Sequence, residues 1–354
     1  MNDFECSLNE ARELVEIIIK TNTAVMLTAP PGVGKSSMVF QIAKKMGIDV
    51  LDIRLAQHDP IDLKGIPNIS TDNRGNEVTK WLIPDFLPKS GEGILFLDEL
   101  TCAAPAVQNA ALQLVLDRKL NDYVLPPGWK IVAAGNTAEH GAFVSRLSNP
   151  MKNRMAHINI TPYWSEVKEY FIENAIRNEV VSFLDWRPEL LFNMPKTEES
   201  AFPTPRTWEK FSEILNVAYG AETKINGGKS LKLANTIIGQ GAAIEFSSFI
   251  DIYVNIKPGE IIDDGKIPTY NDSEIAVKFA SCGAVSQYFL EKKSLKENHI
   301  KNFIAFVENL EPEFQVKVMK NMNWLKNKKH YKACLDHASE SFHRLNANLT
   351  KVII

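Results

Sequence analysis

The chain has 354 residues, of which 45% are hydrophobic, enough to fill the cores of two or three domains. Its 40 basic residues nearly balance its 43 acidic residues, which argues against a protein that coats nucleic acid or anionic membranes. The four cysteines lie far apart without a C-x-x-C pair, and no apolar run is long enough to span a bilayer, so we expect a cytoplasmic protein with reduced thiols and no membrane anchor.

The first part of the chain alternates helical and strand-like segments. Apolar residues from Leu8 to about Asn22 have the three-and-four spacing of an amphipathic helix. Short apolar runs that are typical of buried strands follow at residues 24–27, 50–55, 94–97, 131–134 and 158–160. Buried strands separated by helices predict an α/β domain, with a parallel sheet covered by helices on both faces, over residues 1–162.

The first strand runs directly into a glycine-rich segment. Gly34, Lys35 and Ser36 stand between this strand and a helix, which is the context of a phosphate-binding loop. In such a loop the backbone wraps a phosphate, Lys35 reaches the β and γ oxygens, and Ser36 ligates Mg²⁺. Ala29 stands where the pattern usually has its first glycine. The sequence therefore predicts a P-loop nucleoside triphosphatase that binds ATP and Mg²⁺ through Pro31, Gly32, Val33, Gly34, Lys35, Ser36 and Ser37.

Turn-rich sequence interrupts the α/β pattern near residues 57–88, where residues 72–76 resemble a hairpin tip. We interpret this segment as an insertion.

The next strand ends in two adjacent carboxylates, Asp98 and Glu99. At that position Asp98 can hold Mg²⁺, and Glu99 can activate the water that attacks ATP. Because Glu99 is present, we expect the site to hydrolyse ATP as well as bind it.

Helical periodicity replaces the strands after Pro162. Helices are predicted over residues 164–183 and 207–219, within a helical domain at 163–256. The C-terminal extension, residues 257–354, begins with a loop over residues 257–272 and is otherwise predicted to be helical. Apolar positions at Phe303, Phe306, Val307 and Leu310 form a stripe that indicates either a core or a docking face.

The phosphate loop, the carboxylate pair and the Ala-Ala-Gly-Asn that ends at Asn136 together resemble the AAA+ superfamily, and within it the MoxR group, over roughly residues 8–255. The resemblance implies a large ATPase domain followed by a helical lid. It also implies that Asn136 senses the γ-phosphate and orients water. The inserted hairpin resembles one that faces the central pore in related rings, where Trp81 and Phe86 could either grip a polypeptide or pack the hairpin.

Two arginines extend the resemblance. Arg154, followed by Met155 where the family pattern has an aromatic residue, resembles the arginine finger that reaches the ATP of a neighbouring subunit, and nearby Arg146 is the alternative. Arg206, which follows a proline at a predicted helix start, resembles the lid arginine that contacts nucleotide in the same subunit. A finger supplied from a neighbour implies a ring, with a homohexamer as the family expectation.

The resemblance implies an ATP-driven motor that remodels or activates a protein partner, such as a von Willebrand factor A domain protein. Two alternatives stay open at this point. One is a nucleotide-gated scaffold with little turnover, which an intact Glu99 disfavours. The other is a nucleic-acid motor, which the near-neutral charge disfavours, although a pore lined by Lys64, Arg74 and Lys80 would favour it.

Overall fold

The computed structural model describes residues 5–136, 145, 147–194, 200–220, 225–271, 273–324, 330 and 332–334. The chain divides into two compact units, Met1–Tyr163 and Trp164–Ile354. Of the predicted functional residues, Arg146 lies outside the described residues.

The first unit is built on a six-stranded sheet in which every neighbouring pair of strands is parallel. The strands of this sheet are β1 (Glu5–Cys6), β2 (Ala24–Thr28), β3 (Asp49–Arg54), β6 (Gly93–Asp98), β9 (Trp129–Gly135) and β10 (Met155–Ile160), in the spatial order β1-β10-β2-β9-β6-β3. Two antiparallel hairpins stand outside the sheet, β4 (Ile66–Thr71) with β5 (Glu77–Leu82) and β7 (Lys119–Leu120) with β8 (Tyr123–Val124). The two-residue β1 and the β7–β8 hairpin are absent from the sequence prediction.

Helices cover both faces of the sheet, as the sequence predicts. The helices of this unit are α1 (Leu8–Ile18), α2 (Lys35–Met46), α3 (Pro60–Lys64), α4 (Pro105–Asp117) and α5 (Asn149–Lys152). Side chains of one strand alternate between two separate cores, since Met26 packs in one and Leu27 in the other. Helix α4 contributes to the core that contains Met26, whereas α1 and α2 contribute to the core that contains Leu27. The continuous apolar strands are therefore explained by burial on both faces.

The inserted segment between β3 and β6 contains α3 and the β4–β5 hairpin. Its tip is stabilised by Asp72, whose Oδ1 accepts hydrogen bonds from the backbone N–H groups of Arg74 and Asn76 at 2.8 and 2.9 Å. Phe86 is partly buried against the core, which assigns it a packing role. Trp81 is half-buried, and its backbone N–H donates to Asp122 in the β7–β8 turn at 3.3 Å.

The second unit is helical throughout its described part. Its helices are α6 (Trp164–Glu173), α7 (Asn178–Trp186), α8 (Pro205–Tyr219), α9 (Gly227–Ile238), α10 (Gln240–Tyr253), α11 (Pro258–Ile262), α12 (Ile275–Glu291), α13 (Glu297–Glu308) and α14 (Pro312–Trp324). Phe183 is fully buried and lies 5.3–5.6 Å, centroid to centroid, from the rings of Trp208, Phe246 and Phe249. The apolar stripe of α13 is buried as well, so it forms core and leaves no docking face.

Two details of the helical prediction are wrong. The single helix expected over residues 164–183 is two helices, because the backbone turns at Ala175 with a left-handed φ of 54°. The loop expected over residues 257–272 contains helix α11, which begins at Pro258, a residue suited to a first helical position, and buries Ile261 and Ile262.

The boundary predicted between residues 256 and 257 lies inside the second unit, where α12 packs against both α7 and α10. The division of this unit into a lid and a C-terminal extension therefore stays a prediction. Among the described residues, no helix combines the length and the apolar character needed to cross a membrane.

Candidate active site

The predicted ATP-binding residues meet at one edge of the sheet. Strands β2, β9 and β6 are neighbours, and their last residues are Thr28, Gly135 and Asp98. Because the strands are parallel, all three carboxyl ends lie at the same edge. In open α/β sheets this edge is where ligands bind.

The phosphate-binding loop connects β2 to α2 through two glycines with left-handed backbones. Gly32 has a φ of 75° and Gly34 a φ of 97°, conformations that cost a residue with a side chain roughly 1 kcal/mol or more. Gly34 caps α2 without a side-chain hydrogen bond, so the first turn of the helix presents backbone N–H groups towards the loop. This arrangement favours a bound phosphate, as sequence analysis predicts.

Lys35 begins α2 and folds its side chain back over the loop. Its Nζ donates to the carbonyl oxygens of Ala29 and Pro30 and to Oδ1 of Asn136, each at 3.0 Å. The ammonium therefore lies between the loop and the end of β9. Phosphate oxygens of a nucleotide would be stronger acceptors than these carbonyl groups because they are charged.

Ser36 and Asp98 are joined directly. The Ser36 hydroxyl donates to Oδ2 of Asp98 at 3.0 Å, and Oδ1 of Asp98 accepts from the backbone N–H of Glu99 at 2.8 Å. A hydroxyl and a carboxylate are the oxygen ligands that Mg²⁺ prefers, so the pair fits the ion that the sequence predicts.

Glu99 is half-buried and has a left-handed backbone, with φ 58° and ψ 28°. Such a conformation in a residue other than glycine costs about 1–3 kcal/mol and is concentrated at functional sites. Its carbonyl accepts from the backbone N–H groups of Cys102 and Ala103 at 2.9 and 3.1 Å, which stabilises the turn. The strained turn sends the chain away from β6 directly after the carboxylate pair.

The other predicted loop residues contribute through the backbone or through packing. Val33 is buried in the core shared with α1 and α2, so it fixes the loop to the sheet. Pro31 is half-buried, and Ser37 is exposed. The hydrogen bonds described above for Lys35, Ser36 and Asp98 do not use the Ser37 side chain.

Two residues at this edge were missed by the sequence analysis. Thr101, two residues after Glu99, binds the backbone of Asn136 through its hydroxyl, which accepts from the N–H at 2.9 Å and donates to the carbonyl at 3.2 Å. Asp52 lies on β3 beside β6, where burial and the nearby Asp98 carboxylate raise its pKa. The available signal for Asp52 was the presence of an acidic residue near the end of β3, the strand that pairs with β6.

Arg154 lies at the opposite edge of the sheet from the cluster. It is exposed and directly precedes β10, whose first residue Met155 pairs with Ala24, the first residue of β2. Because β2 and β10 are parallel, Arg154 is about 17 Å, five residues of strand, from the end of β2 that leads into the phosphate-binding loop. The structure therefore does not bring Arg154 to the cluster within one subunit.

Arg206 belongs to the second unit. It is exposed in the first turn of α8, which is capped by Thr204 through a hydrogen bond from the backbone N–H of Thr207 at 3.1 Å. Its predicted contact with nucleotide stays a prediction.

Structural comparison gives matches of low similarity. NtrX from Brucella abortus in complex with ADP is 14% identical over 99% of this chain and 70% of that chain, with a TM-score of 0.40. The K64R mutant of Thermotoga maritima RuvB is 17% identical over 70% of this chain and 68% of that chain, with a TM-score of 0.37. Neither likeness is close enough to support a conclusion about this chain.

Sequence comparison gives a match to a protein family. No curated protein matches the chain. Residues 25–163 match the family described as "ATPase family associated with various cellular activities (AAA)". The match begins in β2, extends past β10 and includes the whole cluster at the sheet edge. Residues 25–163 of this chain therefore form an ATPase domain of the AAA family.

Proposed function

We propose that the protein is an ATP-hydrolysing AAA+ motor of the MoxR group that assembles into a ring and remodels or activates a protein partner. The observation that carries the proposal is the cluster of Lys35, Ser36, Asp98 and Asn136 with Glu99 at its border. A site that only bound nucleotide would not need a carboxylate held in a strained backbone beside the magnesium ligands.

Nucleotide binding uses the loop and the start of α2. Phosphate oxygens take the backbone N–H groups of the first helical turn, and Lys35 exchanges its contacts with Ala29 and Pro30 for the β and γ oxygens. Ser36 and Asp98 would hold Mg²⁺, which supplies charge neutralisation to the phosphates when it is bound. Asp98 stays oriented through the hydrogen bond from the backbone N–H of Glu99.

Hydrolysis requires a base and a group that orients water. Glu99 accepts the proton of the attacking water, and a positioned carboxylate contributes typically 10²–10⁴-fold to the rate. Asn136, which already contacts Lys35 at 3.0 Å, lies beside the γ-phosphate position and orients that water. Arg206 reports the nucleotide state through the helical lid in the same subunit.

Arg154 supplies positive charge to the ATP of a neighbouring subunit. Its distance from its own phosphate-binding loop, together with its exposure, supports action in trans. The transition state of phosphoryl transfer spreads negative charge over the γ-phosphate oxygens, and an arginine finger stabilises that charge. A ring follows, because each active site is then shared by two subunits; we propose six subunits, as the resemblance implies.

A protein partner is favoured over nucleic acid by the surface of the inserted hairpin. Ile66, Ile69 and Leu82 on β4 and β5 are 57%, 74% and 56% exposed, so the hairpin presents apolar side chains to solvent. Exposed apolar groups suit contact with polypeptide, whereas nucleic-acid backbones select clustered Lys and Arg. A von Willebrand factor A domain protein in the cytoplasm is the partner that the resemblance implies.

The proposal is tested by mixing two inactive variants. Glu99→Gln lacks the base and Arg154→Ala lacks the finger, so each ring alone should hydrolyse ATP at background rate. In rings of randomly mixed subunits, roughly a quarter of the interfaces combine an intact Glu99 with an intact neighbouring Arg154. We expect mixing at equal ratio to restore about that fraction of wild-type turnover, with ring mass followed by mass photometry.

Failure of the mixture to recover activity, while both variants still assemble, would exclude Arg154 as a finger in trans. Wild-type turnover per subunit that stays constant on dilution, after mass photometry shows that the rings have dissociated, would contradict the shared site. Background turnover in wild type at all concentrations, with intact ATP binding, would favour the nucleotide-gated scaffold instead.

A further inference from the structure

Thr101 occupies a central position behind the active site. It lies in the 3₁₀ turn Leu100–Cys102 that follows Glu99, and only 6% of it is exposed. Its hydroxyl accepts from the N–H of Asn136 at 2.9 Å and donates to the carbonyl of the same residue at 3.2 Å. One hydroxyl group therefore binds both backbone groups of Asn136.

The location of Asn136 explains why it needs this contact. It directly follows Gly135, the last residue of β9, and Gly135 is also the last residue of β9 that pairs with β2. Past this point the sheet no longer fixes the backbone. Thr101 replaces the lost strand pairing at the residue whose side chain accepts from Lys35.

Thr101 also packs closely over Gly135. A Cβ atom added at Gly135 would lie 2.5 Å from Cγ2 and 2.6 Å from Oγ1 of Thr101, and 2.8 Å from Cε of Met26. These distances are far below van der Waals contact, so glycine is required for the approach. The turn after Glu99 and the end of β9 are thus in direct contact.

The backbone of Thr101 makes a second connection. Its carbonyl accepts from the backbone N–H of Ser145 at 2.7 Å. Ser145 precedes α5, and α5 leads to Arg154 at the start of β10. Thr101 therefore contacts both Asn136 and the segment that continues towards the proposed finger.

We propose that Thr101 is a positioning residue that sets Asn136 against Lys35 and the γ-phosphate, and that links the turn after Glu99 to the segment leading to Arg154. This inference rests on the proposed function, since it takes Asn136 as the residue that recognises the γ-phosphate. Thr101 acts through Asn136 and does not touch the nucleotide itself.

The test compares Thr101→Val, which keeps the shape of the side chain but removes the hydroxyl, with Thr101→Ser, which keeps the hydroxyl. We expect Thr101→Val to lower kcat roughly 10- to 100-fold, the range typical of a misplaced catalytic group. ADP affinity should stay within about twofold, because the misplaced asparagine faces the γ-phosphate. Thr101→Ser should recover kcat to within about threefold of wild type.

Thr21→Val is the matched control. The Thr21 hydroxyl also serves two backbone groups, since it donates to the carbonyl of Ile18 at 2.6 Å and accepts from the N–H of Thr23 at 3.1 Å. It precedes β2 and so lies at the edge of the sheet opposite to the cluster. Thr21→Val should leave kcat unchanged.

A double-mutant cycle with Asn136→Ala separates positioning from a general structural role. If Thr101 acts through Asn136, Thr101→Val should lower kcat by less than about twofold in the Asn136→Ala background. A full additional loss in that background, or a wild-type kcat for Thr101→Val, would overturn the inference. So would a loss that Thr101→Ser reproduces together with a lowered Tm.

A second measurement does not depend on hydrolysis. In the Glu99→Gln background, Thr101→Val should lower the preference for ATP over ADP, measured as the ratio of their Kd values, and Thr101→Ser should not. An unchanged ratio would overturn the inference even if the wild-type protein proves inactive. Absence of turnover combined with a changed ratio would instead contradict only the proposed hydrolytic function.

Discussion

The second unit contains a buried ion pair whose disruption gives a quantitative prediction. Nζ of Lys168 donates to both carboxylate oxygens of Asp185 at 2.9 and 2.7 Å, and the two side chains are only 5% and 7% exposed. Trp164 Nε1 donates to Oδ1 of Asp185 at 2.8 Å, and Lys168 also donates to Oδ1 of Asn321 at 2.6 Å. The network joins α6, α7 and α14.

Asp185→Asn removes the negative charge while it keeps the size of the side chain. The Lys168 ammonium then loses the buried carboxylate that lies 2.7 Å away, and removing one partner of a buried ion pair typically costs about 3–5 kcal/mol. The asparagine oxygen still accepts one hydrogen bond, so we expect a loss near the lower end, about 3 kcal/mol of the free energy of unfolding. Replacing both partners, as in Lys168→Met with Asp185→Leu, should cost less than either single change.

The assay is urea unfolding of the full chain, followed by tryptophan fluorescence and analysed by linear extrapolation. Glu213→Gln is the control, because it breaks the exposed pair with Lys210, in which both side chains are more than half exposed, and should give no measurable loss. A loss below about 1 kcal/mol for Asp185→Asn, or a larger loss for the apolar double variant, would show that the Asp185 charge does not stabilise the buried Lys168.

Three further predictions concern the packing, the thiols and the pH dependence of the protein. Gly135→Ala should lower the free energy of unfolding by about 1–3 kcal/mol, measured by urea unfolding, because the added Cβ overlaps Thr101. An alkylating reagent should modify half-buried Cys102 faster than Cys282, because burial raises the pKa of the Cys282 thiol to about 12. Peptide mass spectrometry measures both rates, and bound ATP should protect Cys102. Burial lowers the pKa of His299, and the nearby charge of Lys292 lowers it further. The unfolded chain therefore binds the proton more tightly than the folded chain, so the free energy of unfolding should fall as the pH drops below about 6.5. His299→Gln should reduce that slope in unfolding experiments at several pH values.

The sequence predicted the parts of the candidate site whose positions depend on local order along the chain. Gly34, Lys35 and Ser36 must follow a strand and begin a helix to work, and that context is visible in the apolar pattern. The same holds for Asp98 and Glu99 at the end of a later buried strand, β6. The parallel sheet then requires these strand ends to meet at one edge.

The parts that could not be predicted depend on contacts between distant residues. Strand β1 has only two residues, and it exists because Glu5 pairs with Asn159, which is more than 150 residues away. The left-handed backbone of Ala175, which divides the expected long helix, leaves no compositional signal, since alanine normally favours a continuous helix.

Thr101 illustrates the same limit at the active site. From the sequence it is one polar residue in a turn after two carboxylates, and nothing local shows that its hydroxyl reaches Asn136. Its role depends on the register between β6 and β9, which places the turn beside the end of the next strand. Arg154 lies at the edge of the sheet opposite to the cluster because of the order and direction of the strands. Apolar runs alone do not specify that order or direction.

The proposed function requires that Glu99 activates the water that hydrolyses ATP at this site. The most direct measurement compares ATP binding with single-turnover phosphate release for wild type and Glu99→Gln, with Lys35→Ala as a variant that should lose binding. We predict that Glu99→Gln binds ATP within about threefold of wild type but releases phosphate at least ~100-fold more slowly. Phosphate release at the wild-type rate in Glu99→Gln, with intact ATP binding, would show that Glu99 is not the base.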